Sequence, residues 1–246
     1  MAQNTGNAKN ILVGASPLFI SNTDSTDTAN YVDNAEPGSA SAAAYVSGTS
    51  YTTSLNAVTS GAFYYRNVGY TNNGLQITYN PTYGSVTVDQ LLDTAKLFKE
   101  SMEVMIATEM AEGTLENLLA VFGQSGDNAH SSALSATETL TTESGFTTGT
   151  AGKNRTLGLA AGALGIAPTE RQLIAVGQAP STTDGANNKS TERVYYARRV
   201  LSVQQSQFSL ARNAATTFPV TFRLLPSGDS AYAGQEYGKI IDRILA

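Results

Sequence analysis

The chain has 246 residues, 41% of them hydrophobic and only 14% charged, with a formal net charge of −5. That length fits one all-β domain with elaborate loops, and the acidic balance excludes a surface built to hold nucleic acid, which takes clustered Lys and Arg. With no cysteine, disulfides and thiolate metal sites are excluded as well.

Met1 to Asn10 has no basic segment followed by an apolar run. No stretch approaches the ~20 apolar residues of a membrane span, so a soluble protein is expected. The segment from Asn10 to Ile20 starts apolar and β-branched, consistent with a first strand, with Pro17 confining it to an edge or bend. Residues 21–61 then change character. Ser, Thr, Ala, Asn and Gly dominate, and a long loop or arm is expected there.

Phe63 to Val88 carries the clearest short-range signal. Asn73-Gly74 supplies two residues tolerant of positive φ between Phe63–Tyr70 and the alternating Leu75, Ile77 and Tyr79, which predicts a tight hairpin. Tyr83-Gly84 and Val86 to Val88 extend or re-enter the sheet. Residues 91–122 are ambiguous at first: Phe98, Met102, Met105 and Ile106 suit a helix, while Met102, Val104 and Ile106 alternate as a strand would. From Thr114 onward the reading is firmer. Thr114 caps a helix whose apolar face is Leu115, Leu118, Leu119 and Phe122, with acids near its positive end and Gly123 as the stop.

Residues 124–154 form a second polar stretch, followed by apolar segments at Leu157–Ile166 and Gln172–Val176 and a third polar loop over Gln178–Thr191. Strands are expected at Val194–Val203, Phe208–Ala211 and Pro219–Leu225. In the last of these, Val220, Phe222 and Leu224 share one face. The chain closes on a C-terminal arm, residues 238–246, whose cluster Ile240, Ile241, Ile244 and Leu245 needs a partner surface. No fixed-period repeat supports a propeller or solenoid.

Catalytic and metal signals are absent. His130, the only histidine, sits in a polar run with no nucleophile elbow in the chain, and reads as an exposed loop residue. Gly149 to Asn154 imitates a phosphate loop, but Thr147 and Asn154 stand where that motif needs Gly and Ser or Thr. Asn22, Asp24 and Asp27 miss the calcium-loop spacing. Arg198-Arg199 beside Tyr195-Tyr196 reads as ordinary strand rather than a stacking platform for single strands. No catalytic residue, metal or cofactor is therefore expected.

Charge is unevenly spread. Gly84–Gly126 holds seven acids against Lys96 and Lys99, whereas Glu192–Ala246 holds seven basic residues against four acids. Two readings stand side by side: solvated faces with pairing inside the chain, or opposite signs that meet across a subunit interface.

The run Phe63-Tyr64-Tyr65-Arg66-Asn67-Val68-Gly69-Tyr70-Thr71-Asn72-Asn73-Gly74-Leu75, continued through Gly84 to Gln90, resembles the phage major tail proteins, or tail tube proteins. Met102 to Ala107, followed by Glu109 to Leu118, is similar to that family's strand and acid-Thr-Leu-Glu-Asn-Leu helix start, which favours strand then helix. Arg198 to Val200, Ser209 to Asn213 and Thr217 to Leu225 resemble its closing strands. Residues 21–61 and 124–154 match no pattern.

The resemblance implies one mainly β domain spanning residues 1–246, a tail-tube-type β-barrel or sandwich with one flanking helix and long loops. It implies a structural subunit, not an enzyme, that stacks as hexameric rings into a tube. Expected partners are copies of itself, the tape-measure protein, the tail terminator and tail-tip or baseplate proteins, with DNA passing transiently. The expected location is the virion tail, after assembly in the host cytoplasm. Alternatives are the inner tube of a contractile machine, or a carbohydrate-binding decoration or receptor-binding module, which the absence of Trp weakens.

Overall fold

The computed structural model describes residues 16–25, 31–33, 49–58, 63–90, 93–124, 167–180, 191–204, 206–210 and 215–245, with Gly14, Thr28, Leu159, Gly165 and Arg212. Eight strands and two helices are found there: β1 (Leu18–Ser21), α1 (Tyr51–Ala57), β2 (Tyr65–Asn67), β3 (Thr71–Thr87), β4 (Thr94–Met110), α2 (Leu115–Val121), β5 (Arg171–Gln178), β6 (Thr191–Ser202), β7 (Phe218–Leu224) and β8 (Gly238–Ile244). All pairings are antiparallel. The order is β2-β1-β5-β6-β7-β4-β3, with β8 also on β6. The mainly β expectation holds, and of barrel and sandwich the architecture is the latter: the sheet stays open and sandwich-like.

Two apolar clusters explain the layering. Leu18, Ile20, Leu173, Ala175 and Ala197 face one cluster together with Val104, Ile106 and Phe222 from the other end of the sheet, and α2 adds Ala120 and Val121. Their alternate neighbours Phe19, Ile174, Val176, Val194 and Tyr196 face a second cluster, closed by Tyr51 and Leu55 of α1. Strands β1 and most of β5 are thus buried on both sides, and a strand covered twice reads as a continuous apolar run such as Leu173-Ile174-Ala175-Val176.

Helix α2 forms as its residues dictate. The Thr114 hydroxyl accepts the Asn117 N–H at 3.3 Å, Glu116 lies in the first turn, and Gly123 takes φ 62 beyond the last turn. Its buried side differs from the expected stripe: of Leu115, Leu118, Leu119 and Phe122 only Leu119 is buried, Leu118 and Phe122 pack at the cluster's edge, and Asn117, Ala120 and Val121 are enclosed instead, Asn117 donating to the Val68 and Glu112 carbonyls. Arg66 donates to the Asn117 side chain at 2.7 Å, and burial pushes that guanidinium down to about 10.

Several expectations are corrected. The 21–61 stretch is not loop throughout, since α1 lies inside it. Phe208 to Leu210 is not a strand; Phe208 instead packs against Phe218, ring centroids 4.7 Å apart. The hairpin about Asn73-Gly74 does not exist. There β3 runs straight through, and Asn73 (φ 60) and Gly74 (φ 68) form a bulge between Asn72 and Gln76. Phe63–Tyr70 instead yields β2, which pairs with β1. Gly69, at φ 84, redirects the chain, and the Glu112 carboxylate accepts the Tyr70 N–H at 3.0 Å. The true hairpin is β3 with β4, paired out to Thr87 opposite Thr94, and it settles residues 94–110 as strand.

Candidate assembly surface

The β3–β4 hairpin outruns the sheet that carries it. β4 pairs with β7 only from Met105 to Met110, while its pairing with β3 continues out to Thr94. Beyond Pro81 and Met102 almost every residue is exposed. Six residues of β3, Thr82–Thr87, at ~3.3 Å each give a projection of roughly 20 Å beyond Pro81. Its base is fastened by the Tyr237 hydroxyl, which donates to the Met102 carbonyl at 3.2 Å, and by an Arg223–Glu103 contact at 3.6 Å.

A two-stranded ribbon in water normally carries polar side chains on at least one face. This one carries an apolar stripe on the other. Register places Ile77, Tyr79, Pro81 and Tyr83 on one face beside Val104, Met102, Lys99 and Leu97. That face continues the α2-covered cluster outward past the end of its cover. Lys99 spans the stripe, with its ammonium 5.6 Å from the centre of the Tyr79 ring and donating to the Tyr79 hydroxyl at 3.3 Å. The opposite face is mostly polar, with Thr78, Asn80, Thr82, Glu103, Ser101 and Lys96 around Val86 and Phe98, and Phe98 lies over Gly84, where an added Cβ would come within 2.5 Å of the ring.

The C-terminal cluster is divided by strand alternation. β8 pairs with β6 from Thr191–Ile244 to Ala197–Gly238, so it is a sheet strand and not a free arm. Ile241 turns inward to the second cluster, and Leu245 is half-buried. Ile240 and Ile244 point out, 64% and 65% exposed, on the same side of the sheet as Tyr195 and the Tyr79 face of the hairpin. Between the two isoleucines Arg193 grips Asp242 through bonds of 2.5 and 2.7 Å, which hold the Asp242 carboxyl below its ordinary range. On the inner side Arg243 pairs with Glu192, whose two oxygens each accept the Tyr51 N–H at 2.9 Å at the start of α1. Shortening this strand therefore removes structure from the body, not only a contact between copies.

Much of the basic surplus near the C-terminus is consumed inside the chain. Arg193, Arg199, Arg223 and Arg243 pair with Asp242, Glu170, Glu103 and Glu192. Arg198 is fully buried, its guanidinium 3.7 Å from the Tyr232 ring centre and its Nε donating to the Gln235 carbonyl. Tyr196 is buried too, so Arg198 and Tyr196 offer no platform to a nucleic acid. Asp24 is committed to Arg171 at 2.9 Å, and Asn22 accepts the Tyr64 N–H at 2.8 Å. Asp27, His130 and the Gly149–Asn154 loop lie outside the described residues. Among the described residues no group of three or more His, Asp or Glu is placed to hold a metal, and no helix is long and apolar enough to cross a membrane.

Sequence reasoning missed the projecting hairpin because it placed the turn at Asn73-Gly74. The alternation of Leu75, Ile77 and Tyr79 was the usable signal, and it continues to Tyr83. Compared with known proteins, the chain matches no family model and no curated sequence.

Proposed function

We propose that this chain is a non-enzymatic structural subunit that assembles with copies of itself. The observation that supports it is the β3–β4 hairpin, which projects from the sheet with Tyr79, Tyr83 and Leu97 of one face 59%, 59% and 64% exposed, an apolar surface that is unfavourable in water until another surface covers it. Taken with the likeness of Phe63–Leu75 and Glu109–Leu118 to tail tube proteins, the reading extends to stacked hexameric rings in a phage tail. Rings of that kind would hold the tape-measure protein and then pass DNA. Acidic side chains on the projecting segment, among them Asp89, Asp93 and Glu100, suit such a channel because they repel phosphate rather than trap it.

Replacing residues 83–99 by a short turn tests the reading. The trimmed protein should keep its far-ultraviolet spectrum and melting temperature, because the removed segment touches little of the body, yet sediment as a monomer where the full chain forms large species. Equal assembly by the trimmed chain would contradict it.

A further inference from the structure

Two defects in the β3–β4 ladder fall at the same level. Thr82 pairs with Ser101 and Tyr83 with Lys99, so Glu100 is an extra residue on β4 with no partner on β3. Such a bulge interrupts the ladder and lets the strand bend. Next to it β3 has Pro81 opposite Met102, and a proline brings no N–H to the ladder. The body gives no strand support here, because β7 pairs with β4 no further than Met105. The last fastenings, the Tyr237 hydroxyl on the Met102 carbonyl and Arg223 beside Glu103, lie on the body side of the bulge. A second extra residue, Ala95, sits between Thr94 and Lys96 at the end of the paired segment, where a bend moves little.

We infer that the hairpin is jointed: residues 82–87 and 94–101 pivot as one unit on Pro81 and Glu100, and Lys99 is the latch that sets their angle. The outer unit holds its own shape. Phe98 lies over Gly84 so closely that an added Cβ would meet its ring at 2.5 Å, and an aromatic packed across the strands over a glycine stiffens a ribbon. Lys99 stands on the outer side and reaches back across the joint. It donates to the Met102 sulfur at 2.8 Å and to the Tyr79 hydroxyl at 3.3 Å, with its ammonium 5.6 Å from the Tyr79 ring centre. Among the described residues these are the side-chain hydrogen bonds that cross the joint. With the latch closed the outer unit continues the sheet. With it open, a rotation of ~30° carries the end of a ~20 Å unit through about 10 Å, which re-aims Tyr83 and Leu97 without disturbing the body.

The chain has no cysteine, so introduced cysteines carry spin labels at chosen places. Ser85→Cys with Ile240→Cys measures the outer unit against β8 by pulsed electron paramagnetic resonance, with labelled chains diluted into excess unlabelled chain so that each distance lies within one molecule. With Lys99 in place the pair should give one narrow distance, and adding Lys99→Met should roughly double its width. Pro81→Val with deletion of Glu100 restores a continuous ladder, and in the Lys99→Met background it should bring the narrow distance back. A second pair at facing positions, Val86→Cys with Lys96→Cys, reports the outer unit itself and should show strong dipolar coupling in every variant. A distance that stays narrow in Lys99→Met would overturn the latch, and broadening that persists after the ladder is repaired would overturn the joint. Loss of coupling in the second pair would mean that the outer unit melts instead of pivoting, which overturns the proposal as well.

Discussion

Glu192 joins three elements with one carboxylate: it caps α1 through the Tyr51 N–H, pairs with Arg243 of β8, and belongs to β6. Removing it strands a largely buried guanidinium and uncaps a helix, so Glu192→Ala should cost about 3 kcal/mol in urea unfolding. Asp242→Ala breaks a pair of similar geometry on the exposed side, and should cost under ~1 kcal/mol. Equal losses would contradict this account of the pair. The buried tyrosines set an alkaline limit. Burial raises the Tyr65 phenol well above 10.0 and pushes Tyr31 up to about 12. Both folded values exceed the unfolded one, so their contribution is complete below pH 10 and is lost as pH rises through the folded values. Tyrosinate absorbance should therefore show Tyr65 and Tyr31 ionising only with unfolding. A single smooth titration of all tyrosines without unfolding would count against this packing.

Elements differed in how far the sequence disclosed them, and the reasons are local. α2 was legible because its signals are its own: Thr114 caps it, Glu116 sits in its first turn and Gly123 ends it. α1 was not, since Tyr51-Thr52-Thr53-Ser54 carries no helix signal and its capping carboxylate comes from Glu192, 141 residues away. Asn73-Gly74 misled for a different reason. Consecutive left-handed residues serve a two-residue turn and a bulge equally well, and only the register of β4, with the Thr108 hydroxyl donating to the Gly74 carbonyl at 2.9 Å, selects the bulge. Gly74→Ala meets no neighbouring atom, so its cost should be the backbone strain alone, about 1 kcal/mol. Gly238→Ala is more severe. An added Cβ would lie 1.9 Å from the Tyr196 carbonyl oxygen, so β8 should detach, with loss of amide-exchange protection along Thr191–Ala197. Unchanged protection would show that β8 tolerates the substitution.

At the scale of the whole molecule, a body with two covered faces carries a ribbon with none. The body explains its own stability: helices close both sides of the central strands, and the Arg171–Asp24 and Arg199–Glu170 pairs brace it. The hairpin and the outer side of β8 have no such account, and their apolar surface is what the assembly reading supplies with a partner. The C-terminal isoleucines were singled out in the sequence as needing a surface, but alternation along β8 divides that cluster, so Ile241 contributes to the fold and Ile240 and Ile244 to the outside. Negative-stain electron microscopy of the purified chain across a concentration series tests the central claim most directly. Rings or tubes of uniform diameter with a stain-filled channel are the predicted result, and separate monomers at the highest concentration would contradict it.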